Sequence, residues 1–329
     1  MENFRPGTLA GFGLGYDDVA ARNPHVVYAS ISGYGQHGSW RARAAYAPTV
    51  QAETGITEMS NAHWDAPADR PRSDSLSHAD VYSGLHAAIA ILRALNERSV
   101  TGRGQYIDVA MASVMLAINE RVHADLSDTE LGDEPPILGA TDCVFFIGPD
   151  RKRFISPLSL VSSLSFPFYL AAMRRPDLAA DPRFATPQDR RRNLAALHEI
   201  VRRWIWSFTD VASLDAQLDE AKIPIGALRD ISECADTDWA AQWGATRTVP
   251  DGAGGRITVP GRPWHFRGNT KPNESGDGTE TVDTGPEPDR QPARQGEHND
   301  EVLREFGYSD DEISDFAARG VLVHHSDAT

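Results

Sequence analysis

The first half of the sequence predicts an α/β fold, because two strand-like segments flank a long helical one. Residues 25–32 (HVVYASIS) are apolar and rich in β-branched side chains, and they follow Asn23-Pro24, which is typical of a buried strand. Residues 106–110 (YIDVA) form a second, shorter strand-like segment. The helical segment between them opens at Asp80 and stops at residues 101–104 (TGRG).

The predicted long helix is amphipathic. Spacings of three and four place six of its apolar side chains on one face, namely Val81, Leu85, Ala88, Ile89, Leu92 and Leu95. Arg93, Glu97 and Arg98 lie towards the other face. After the second strand, an apolar helical run continues through Met115 and Ile118.

The character of the chain changes after Val122, where polar residues and Pro135-Pro136 indicate a domain boundary. A strand is expected at residues 143–147, followed by helices near 194–208 and 211–221. The first of these helices carries an apolar stripe that we interpret as core packing, formed by Leu194, Leu197, Ile200, Val201, Trp204 and Phe208.

The last part of the chain begins with a polar segment and ends in a helix. Residues 268–299 are dominated by Gly, Pro, Asp, Glu, Thr and Asn, so we expect an extended or mobile connector that builds no core of its own. Ser309 and Glu312 have capping-box spacing ahead of Ile313 and Phe316, which predicts a helix start.

The charge of the chain argues against nucleic-acid binding. Its 47 acidic and 32 basic side chains give a formal charge of −15, and such a field repels phosphate backbones. Arg41 and Arg43 are isolated, and residues 190–192 (RRR) are expected to be the solvated start of a helix. We therefore expect no nucleic-acid partner.

Hydropathy and cysteine usage indicate a cytoplasmic protein without a membrane span, a disulfide framework or a structural zinc site. No apolar run approaches the roughly 20 residues that cross a bilayer, and residues 1–13 lack the pattern of a secretion signal. We therefore expect no membrane partner and a cytoplasmic location. Cys143 and Cys234 are far apart and outside CxxC spacing, which argues against a disulfide framework or a structural zinc site. Each is expected to be a buried, inert thiol.

Residues 33–38 (GYGQHG) match the GxGxxG pattern of dinucleotide sites and follow a predicted strand. That fingerprint requires a helix directly after the glycines, whose N-terminus holds the pyrophosphate. Residues 39–43 (SWRAR) lead instead to Pro48 without a helical pattern, so we reject a nicotinamide or flavin site. The histidines do not pair at metal-ligand spacing in any structured stretch, so no metal site is predicted.

Asp80 is the residue with the clearest potential for chemistry. We expect it at the N-cap of the long helix, where its side chain accepts backbone N–H bonds and the helix dipole favours the ionised form. A carboxylate held in this way is a competent nucleophile towards an activated acyl group. On the residues alone, a purely structural cap is the more common role of such an aspartate. We assign no role to the nearby His78 and His86.

Several stretches, spread over nearly the whole chain, together resemble the family III CoA-transferases, the CaiB/BaiF group. These are residues 2–7 (ENFRPG), 23–24 with 30–36 (SISGYGQ), 51–55 (QAETG), 79–85 (ADVYSGL), 101–105 (TGRGQ) with 107–109 (IDV), and 296–303 (GEHNDEVL) leading into 307–309 (GYS).

The resemblance implies a family III CoA-transferase fold, with a Rossmann-like large domain and a smaller α+β domain. It assigns residues 1–125 to the large domain, 126–262 to the small domain, and 263–329 to a linker with a C-terminal return to the large domain. Family members form dimers that interlock like links of a chain. We therefore expect a homodimer of this kind, or a complex with a different partner subunit.

The resemblance also implies the chemistry. Asp80 matches the nucleophile that forms an aspartyl acyl anhydride and then an aspartyl-CoA thioester. CoA is held partly by Asn3, Phe4 and Arg5 and partly near Tyr46, and we add Arg43 to this set. Coenzyme A and acyl-CoA enter as substrates together with a carboxylic acid, and no tightly bound cofactor is expected.

The chain departs from the family pattern in ways that keep two alternatives open. Relatives carry a further segment ahead of ENFRPG, with the first strands and part of the CoA pocket, so a misread valine start codon at Met1 is one hypothesis. Ala47 and Gly11 replace an acid and an arginine found in some relatives. A non-catalytic or partner-dependent subunit is the first alternative. The second, an α-methylacyl-CoA racemase, is weaker because Tyr46 stands where racemases carry a histidine.

Overall fold

The structure, a computed structural model, describes residues 1–63, 69–70, 72–73, 76–119, 122, 126, 144–252, 254–265 and 293–323. These residues form two compact units, Met1–Gly226 and Ala227–Thr329. The predicted boundary near residue 125 and most of the predicted connector at 268–299 lie outside the described residues. The three-part domain division therefore stays a prediction.

The N-terminal half of the first unit is a mixed helix and strand arrangement, as predicted. Its elements in order are α1 Thr8–Gly11, α2 Tyr16–Arg22, β1 Val27–Ser32, α3 Ala47–Glu53, α4 Ile56–His63, α5 His78–Thr101, β2 Gln105–Ala110 and α6 Met111–Ile118. The two predicted strands pair in parallel, with Val27 opposite Gln105 and Ser32 opposite Ala110. Helices α3, α4 and α5 form the long connection that a parallel pair requires.

Helix α5 begins earlier than the sequence predicts. Its N-cap is Ser77, whose side chain makes no capping hydrogen bond. Asp80 is therefore not the N-cap, and the prediction that it caps the helix is wrong. It lies instead at the third helical position, within the first turn, where the helix dipole still favours a negative charge. The helix stops within residues 101–104, as predicted, and its C-cap is Gly102 in the left-handed conformation.

The buried face of α5 is made of small residues. Apolar helix faces usually turn towards the core, yet Val81, Leu85, Ile89 and Leu92 are all more than half exposed. The residues that α5 buries are Ala79, Ser83, Ala87 and Ala94. Helix α5 packs against β1, β2, α3 and α6, and small buried side chains permit close approach of the backbones.

The second half of the first unit begins at Val144. Its elements are β3 Val144–Ile147, β4 Arg153–Ser156, α7 Phe166–Met173, a 3₁₀ turn at Pro176–Ala179, α8 Pro187–Arg192, α9 Leu194–Ile205, α10 Val211–Glu220 and β5 Gly226–Ala227. Strands β3 and β4 are antiparallel. The predicted stripe on α9 is confirmed as core packing, because Leu197 and Val201 are at most 2% exposed and its other members pack against that core.

Two predictions about single residues are wrong. Arg190, expected on a solvated face, is only 3% exposed. Its guanidinium donates to the carbonyls of Val161 (2.7 Å) and Phe184 (2.9 Å) and to the hydroxyl of Ser163 (3.0 Å), so hydrogen bonds compensate the buried charge. Cys234, expected to be a buried thiol, is exposed.

The second unit contains α11 Ile231–Ala235, α12 Asp238–Trp243, β6 Thr246–Pro250, β7 Arg256–Pro260, α13 Asn299–Glu305 and α14 Asp310–Ala318. The capping box predicted for the last helix is confirmed, with Ser309 and Glu312 bonded reciprocally. Within the described ranges, no helix is both long and apolar enough to span a bilayer.

Candidate active site

A cavity of about 430 Å³ opens where the carboxyl end of β1 meets the start of α6. It contains all six residues that the sequence singled out, namely Asn3, Phe4, Arg5, Arg43, Tyr46 and Asp80. The wall is completed by Pro6, Ile31, Ser32, Gly33, Arg41, Ala45 and Met111. Ligand sites in parallel sheets commonly lie outside the carboxyl ends of the strands, which is where this cavity lies.

Main-chain bonds to β1 fix the segment that carries Asn3, Phe4 and Arg5. The N–H of Glu2 donates to the carbonyl of Ala29 (2.9 Å), and the N–H of Ile31 donates to the carbonyl of Glu2 (2.9 Å). Glu2 thus lies parallel to β1, and the three residues after it enter the cavity at the end of that strand. Phe4 is 54% exposed and available to a ligand.

The first turn of α5 carries Asp80 into the cavity. The Asp80 side chain is exposed and has no hydrogen-bond or ion-pair partner within the described part of the chain. The turn itself is held from α3, where Gln51 accepts the N–H of Ala79 at 3.3 Å and donates to the carbonyl of Leu76 at 3.4 Å. The carboxylate is therefore free to react while its backbone is anchored.

Arg43 is held in place by three neighbours. Its guanidinium lies 4.2 Å from the ring centroid of Trp40 and 5.2 Å from that of Tyr34, distances at which a cation is attracted to an aromatic face. It also forms an ion pair with Glu53, at the end of α3. Because Glu53 already neutralises the Arg43 guanidinium, Arg43 shapes the cavity wall more than it adds positive charge to the cavity.

Tyr46 lies at the N-cap of α3 and is 72% exposed. Its backbone is fixed by Thr49, whose hydroxyl accepts the Tyr46 N–H at 3.0 Å and donates to the Tyr46 carbonyl at 2.7 Å. Next to it, Ala45 packs so closely on Gly33 that a Cβ at Gly33 would come within 2.1 Å of the Ala45 Cβ. The cavity wall therefore requires glycine at position 33.

Arg41, Ser32 and Gln51 were not recognised as functional from the sequence. Arg41 lines the cavity, and Ser32 lines it with a buried hydroxyl that has no partner among the described residues. Gln51 is 2% exposed and acts on Asp80 only through the backbone of α5. Ser32 and Gln51 lie in the family-like stretches 30–36 and 51–55, but their positions relative to Asp80, like that of Arg41, depend on how distant segments pack.

Residues 33–38 do not form a dinucleotide site. Bends and turns follow the glycines, and the next helix begins at Ala47, so the helix N-terminus that would hold a pyrophosphate is missing from this described stretch. Among the described residues, no group of three or more His, Cys, Asp or Glu side chains is placed to hold a metal ion.

Comparison with known proteins adds evidence that is independent of the cavity. The sequence model of CoA-transferase family III matches residues 1–276. The chain is 31% identical to acetyl-CoA:oxalate CoA-transferase of Acetobacter aceti, over 83% of this chain and 68% of that protein. It is 29% identical to the succinyl-CoA–L-malate CoA-transferase beta subunit of Chloroflexus aurantiacus, over 98% of this chain and 76% of that protein.

A solved structure has the same fold. The crystal structure of a CaiB/BaiF family protein from Brucella suis superposes with a TM-score of 0.63 at 25% identity, covering 92% of this chain and 74% of that one. The predicted fold class, a mixed α/β fold of this family, is therefore confirmed. The chain spans between about two thirds and three quarters of the length of these three proteins.

Proposed function

This chain belongs to CoA-transferase family III, and on that basis we propose that it transfers CoA from an acyl-CoA to a free carboxylic acid with Asp80 as the covalent nucleophile. The observation that carries the proposal is the gathering of Asp80 with Asn3, Phe4, Arg5, Arg43 and Tyr46 around one cavity. Relatives named as CoA-transferases support the reaction class.

The first half of the proposed reaction loads CoA onto the protein. The Asp80 carboxylate attacks the thioester carbonyl of the donor, the C–S bond breaks, and CoA leaves as a thiolate from a mixed anhydride. The thiolate then attacks the aspartyl carbonyl of that anhydride. The donor acid leaves as a carboxylate, and Asp80 holds CoA as a thioester.

The second half reverses these steps on the acceptor. The acceptor carboxylate attacks the aspartyl thioester and expels the CoA thiolate, which gives a second anhydride. The thiolate attacks the acceptor carbonyl of this anhydride, which releases the new acyl-CoA and restores the Asp80 carboxylate. Each bond that breaks is matched by one that forms, so no further co-reactant is needed.

The electrostatics of the cavity suit anionic substrates. Arg5 and Arg41, which have no ion-pair partner among the described residues, line the same space as Asp80 in a chain whose formal charge is −15. Such a local positive field draws in thiolates, carboxylates and the phosphates of CoA. Backbone N–H groups near the first turn of α5 would stabilise the oxyanion that forms at each attack.

The test is to trap the covalent intermediates. Incubation with an acyl-CoA followed by borohydride or hydroxylamine should modify Asp80, detected by mass spectrometry of its peptide, and Asp80→Ala should abolish CoA exchange. Asp311→Ala is the matched control, because Asp311 is also an exposed carboxylate in the first turn of a helix. Full exchange activity in Asp80→Ala would refute the proposed mechanism.

A non-catalytic or partner-dependent subunit is the second candidate. The observation that favours it is the name of the Chloroflexus relative, a beta subunit, which describes an enzyme with more than one kind of chain. Calorimetric titration of the isolated chain with CoA separates the two candidates. Micromolar binding and exchange by the chain alone would exclude the second, whereas activity that requires an added partner subunit would support it.

We also propose that the chain assembles as a homodimer, interlocked as the family resemblance implies. The exposed apolar row on α5, formed by Val81, Leu85, Ile89 and Leu92, supports a subunit contact, since monomers rarely expose contiguous apolar patches. Sedimentation equilibrium should give twice the chain mass, and a purely monomeric species would contradict the proposal. The cytoplasmic location stays a prediction.

A further inference from the structure

Residues 37–46, the cavity loop, directly precede α3 and bring Arg41 and Tyr46 to the wall of the Asp80 cavity. Residues 37–44 are all exposed. Over this range, the main-chain hydrogen bonds among the described residues are two turns internal to the loop. Since these bonds tie the loop backbone to no other element of the described chain, its side chains must hold it in place.

The Arg43 side chain ties the cavity loop to α3. Its guanidinium pairs with Glu53, at the end of that helix, and lies over the rings of Trp40 and Tyr34. The two rings meet edge to face, with centroids 5.2 Å apart and an interplanar angle of 89°. A single ion pair at such exposure stabilises little, but the cation–π contacts to both rings add to this one. These four residues, the Arg43 cluster, join the residues before the loop, the loop itself and α3.

Helix α3 holds two parts of the cavity wall through two different side chains. Gln51 accepts the N–H of Ala79 and so fixes the turn that carries Asp80, whereas Glu53 holds Arg43 of the cavity loop. Asp80 is the reacting group under the function proposed above, and the loop only surrounds the substrate. Loss of the Glu53 contact should therefore weaken binding and leave the chemical step intact.

Resting on the function proposed above, we propose that Glu53 is a positioning residue for acyl-CoA. By pairing with Arg43 it orders the cavity loop before the substrate arrives, so that Arg41 and Tyr46 already lie at the cavity. A loop that is ordered in advance loses less conformational entropy on binding, which raises the affinity. Arg43 then acts through the loop, and the direct contact between Arg43 and CoA that we expected from the sequence is not required.

The kinetic experiment compares Glu53→Gln with Arg43→Met, since each change removes the ion pair from one side. We expect both to raise the KM for acyl-CoA about three- to tenfold, while kcat stays close to the parent value. A guanidinium that binds an anionic group of acyl-CoA directly would respond differently, because Glu53→Gln would release it for the ligand. A lower KM in Glu53→Gln together with a higher KM in Arg43→Met would therefore overturn the proposal.

A double-mutant cycle tests whether the two residues act together. The double variant Glu53→Gln/Arg43→Met should have the KM of Arg43→Met alone, because both changes remove the same contact, and a further multiplied KM would contradict the proposal. Arg43→Lys should lose less affinity than Arg43→Met, since lysine keeps the charge but lacks the planar guanidinium. Glu58→Gln is the matched control, because Glu58 is an exposed carboxylate on α4 without an ion pair among the described residues. Its loss should leave the KM unchanged.

A measurement without turnover separates this proposal from the catalytic one. Under conditions where both chains are folded, trypsin cleavage after Arg41 should be about threefold or more faster in Glu53→Gln than in the parent chain. Calorimetric titration with CoA should show weaker binding to the variant. These two results in a chain without exchange activity would refute the proposed function alone. Exchange activity in the parent chain, with cleavage and CoA binding unaltered in Glu53→Gln, would refute the positioning role alone.

Discussion

The main-chain N–H of Ala79 donates to the side-chain oxygen of Gln51 across 3.3 Å, which joins α3 to the first turn of α5. Both residues are buried, with Ala79 fully inaccessible and Gln51 2% exposed. The first N–H groups of a helix have no partner inside the helix. The Gln51 side chain, on α3, supplies an acceptor for the Ala79 N–H and so fixes the turn that carries Asp80.

Replacing Gln51 by leucine should therefore lower kcat, because the first turn of α5 would no longer hold Asp80 in place. The variant leaves the Ala79 N–H buried without an acceptor, which we expect to lower the free energy of unfolding by about 1–3 kcal/mol. Because the segments proposed to contact CoA are held by other bonds, kcat should fall while the KM for acyl-CoA stays close to the parent value. Steady-state kinetics at a temperature where the variant is fully folded measures both.

Gln217→Leu is the control for this change. Gln217 donates to the carbonyl of Ala172 at 2.9 Å, away from the cavity, so its loss should cost stability and leave kcat unaffected. If Gln51→Leu and Gln217→Leu had the same kcat, Gln51 would be a structural residue without a positioning role.

Gly33→Ala should distort the cavity wall. The added Cβ would meet the Ala45 Cβ at 2.1 Å, so the segment that carries Tyr46 must move. Displacements of about 1 Å can cost two orders of magnitude in rate, and we expect kcat/KM to drop about tenfold or more. Gly84→Ala is the control, because its Cβ meets nothing within 4 Å and alanine stabilises a helix interior by about 0.5–1 kcal/mol. Parent-like kinetics in Gly33→Ala would contradict the packing argument.

Ser83→Ala should be neutral or stabilising. Ser83 is fully buried on the packed face of α5, and its hydroxyl has no partner among the described residues. Removing an unsatisfied buried hydroxyl abolishes a desolvation cost, so the free energy of unfolding should rise by up to about 1 kcal/mol. Ser165→Ala should behave oppositely and lose about 1 kcal/mol, because that hydroxyl donates to the carbonyl of Ser159 at 2.5 Å. Urea unfolding of the two variants measures both changes in the free energy of unfolding. A clear loss of stability in Ser83→Ala would show that the Ser83 hydroxyl has a hydrogen-bond partner.

Arg190→Met should strongly destabilise the first unit. The change leaves the carbonyls of Val161 and Phe184 without their donors in a buried site, and we expect a loss of about 3 kcal/mol or more. Arg192→Met provides the comparison, since that side chain is 74% exposed and should change stability by less than about 0.5 kcal/mol. Equal unfolding midpoints for both variants would mean that the hydrogen bonds of the buried Arg190 guanidinium do not stabilise the fold.

The elements that the sequence predicted well are those set by local rules. Strand β1, strand β2 and the stripe on α9 follow from periodicity within one segment. The capping box at Ser309 needs only two residues of fixed spacing. Asp80 was misplaced at the N-cap although Ser77 and Asp80 have the spacing of a capping box, and the helix begins at His78 with Ser77 as its N-cap residue.

The sequence by itself determined the family, the strand–helix–strand order around Asp80, and six of the residues that line the cavity. Only the tertiary structure decided which face of α5 is buried, because the close approach of β1, β2 and α3 selects Ala79, Ser83 and Ala87 over the larger apolar side chains. It also brought Arg41 into the cavity that Asp80 lines, and it placed Gln51 against the first turn of α5. These pairings join segments distant in the chain, and their geometry arises from packing that no local pattern encodes.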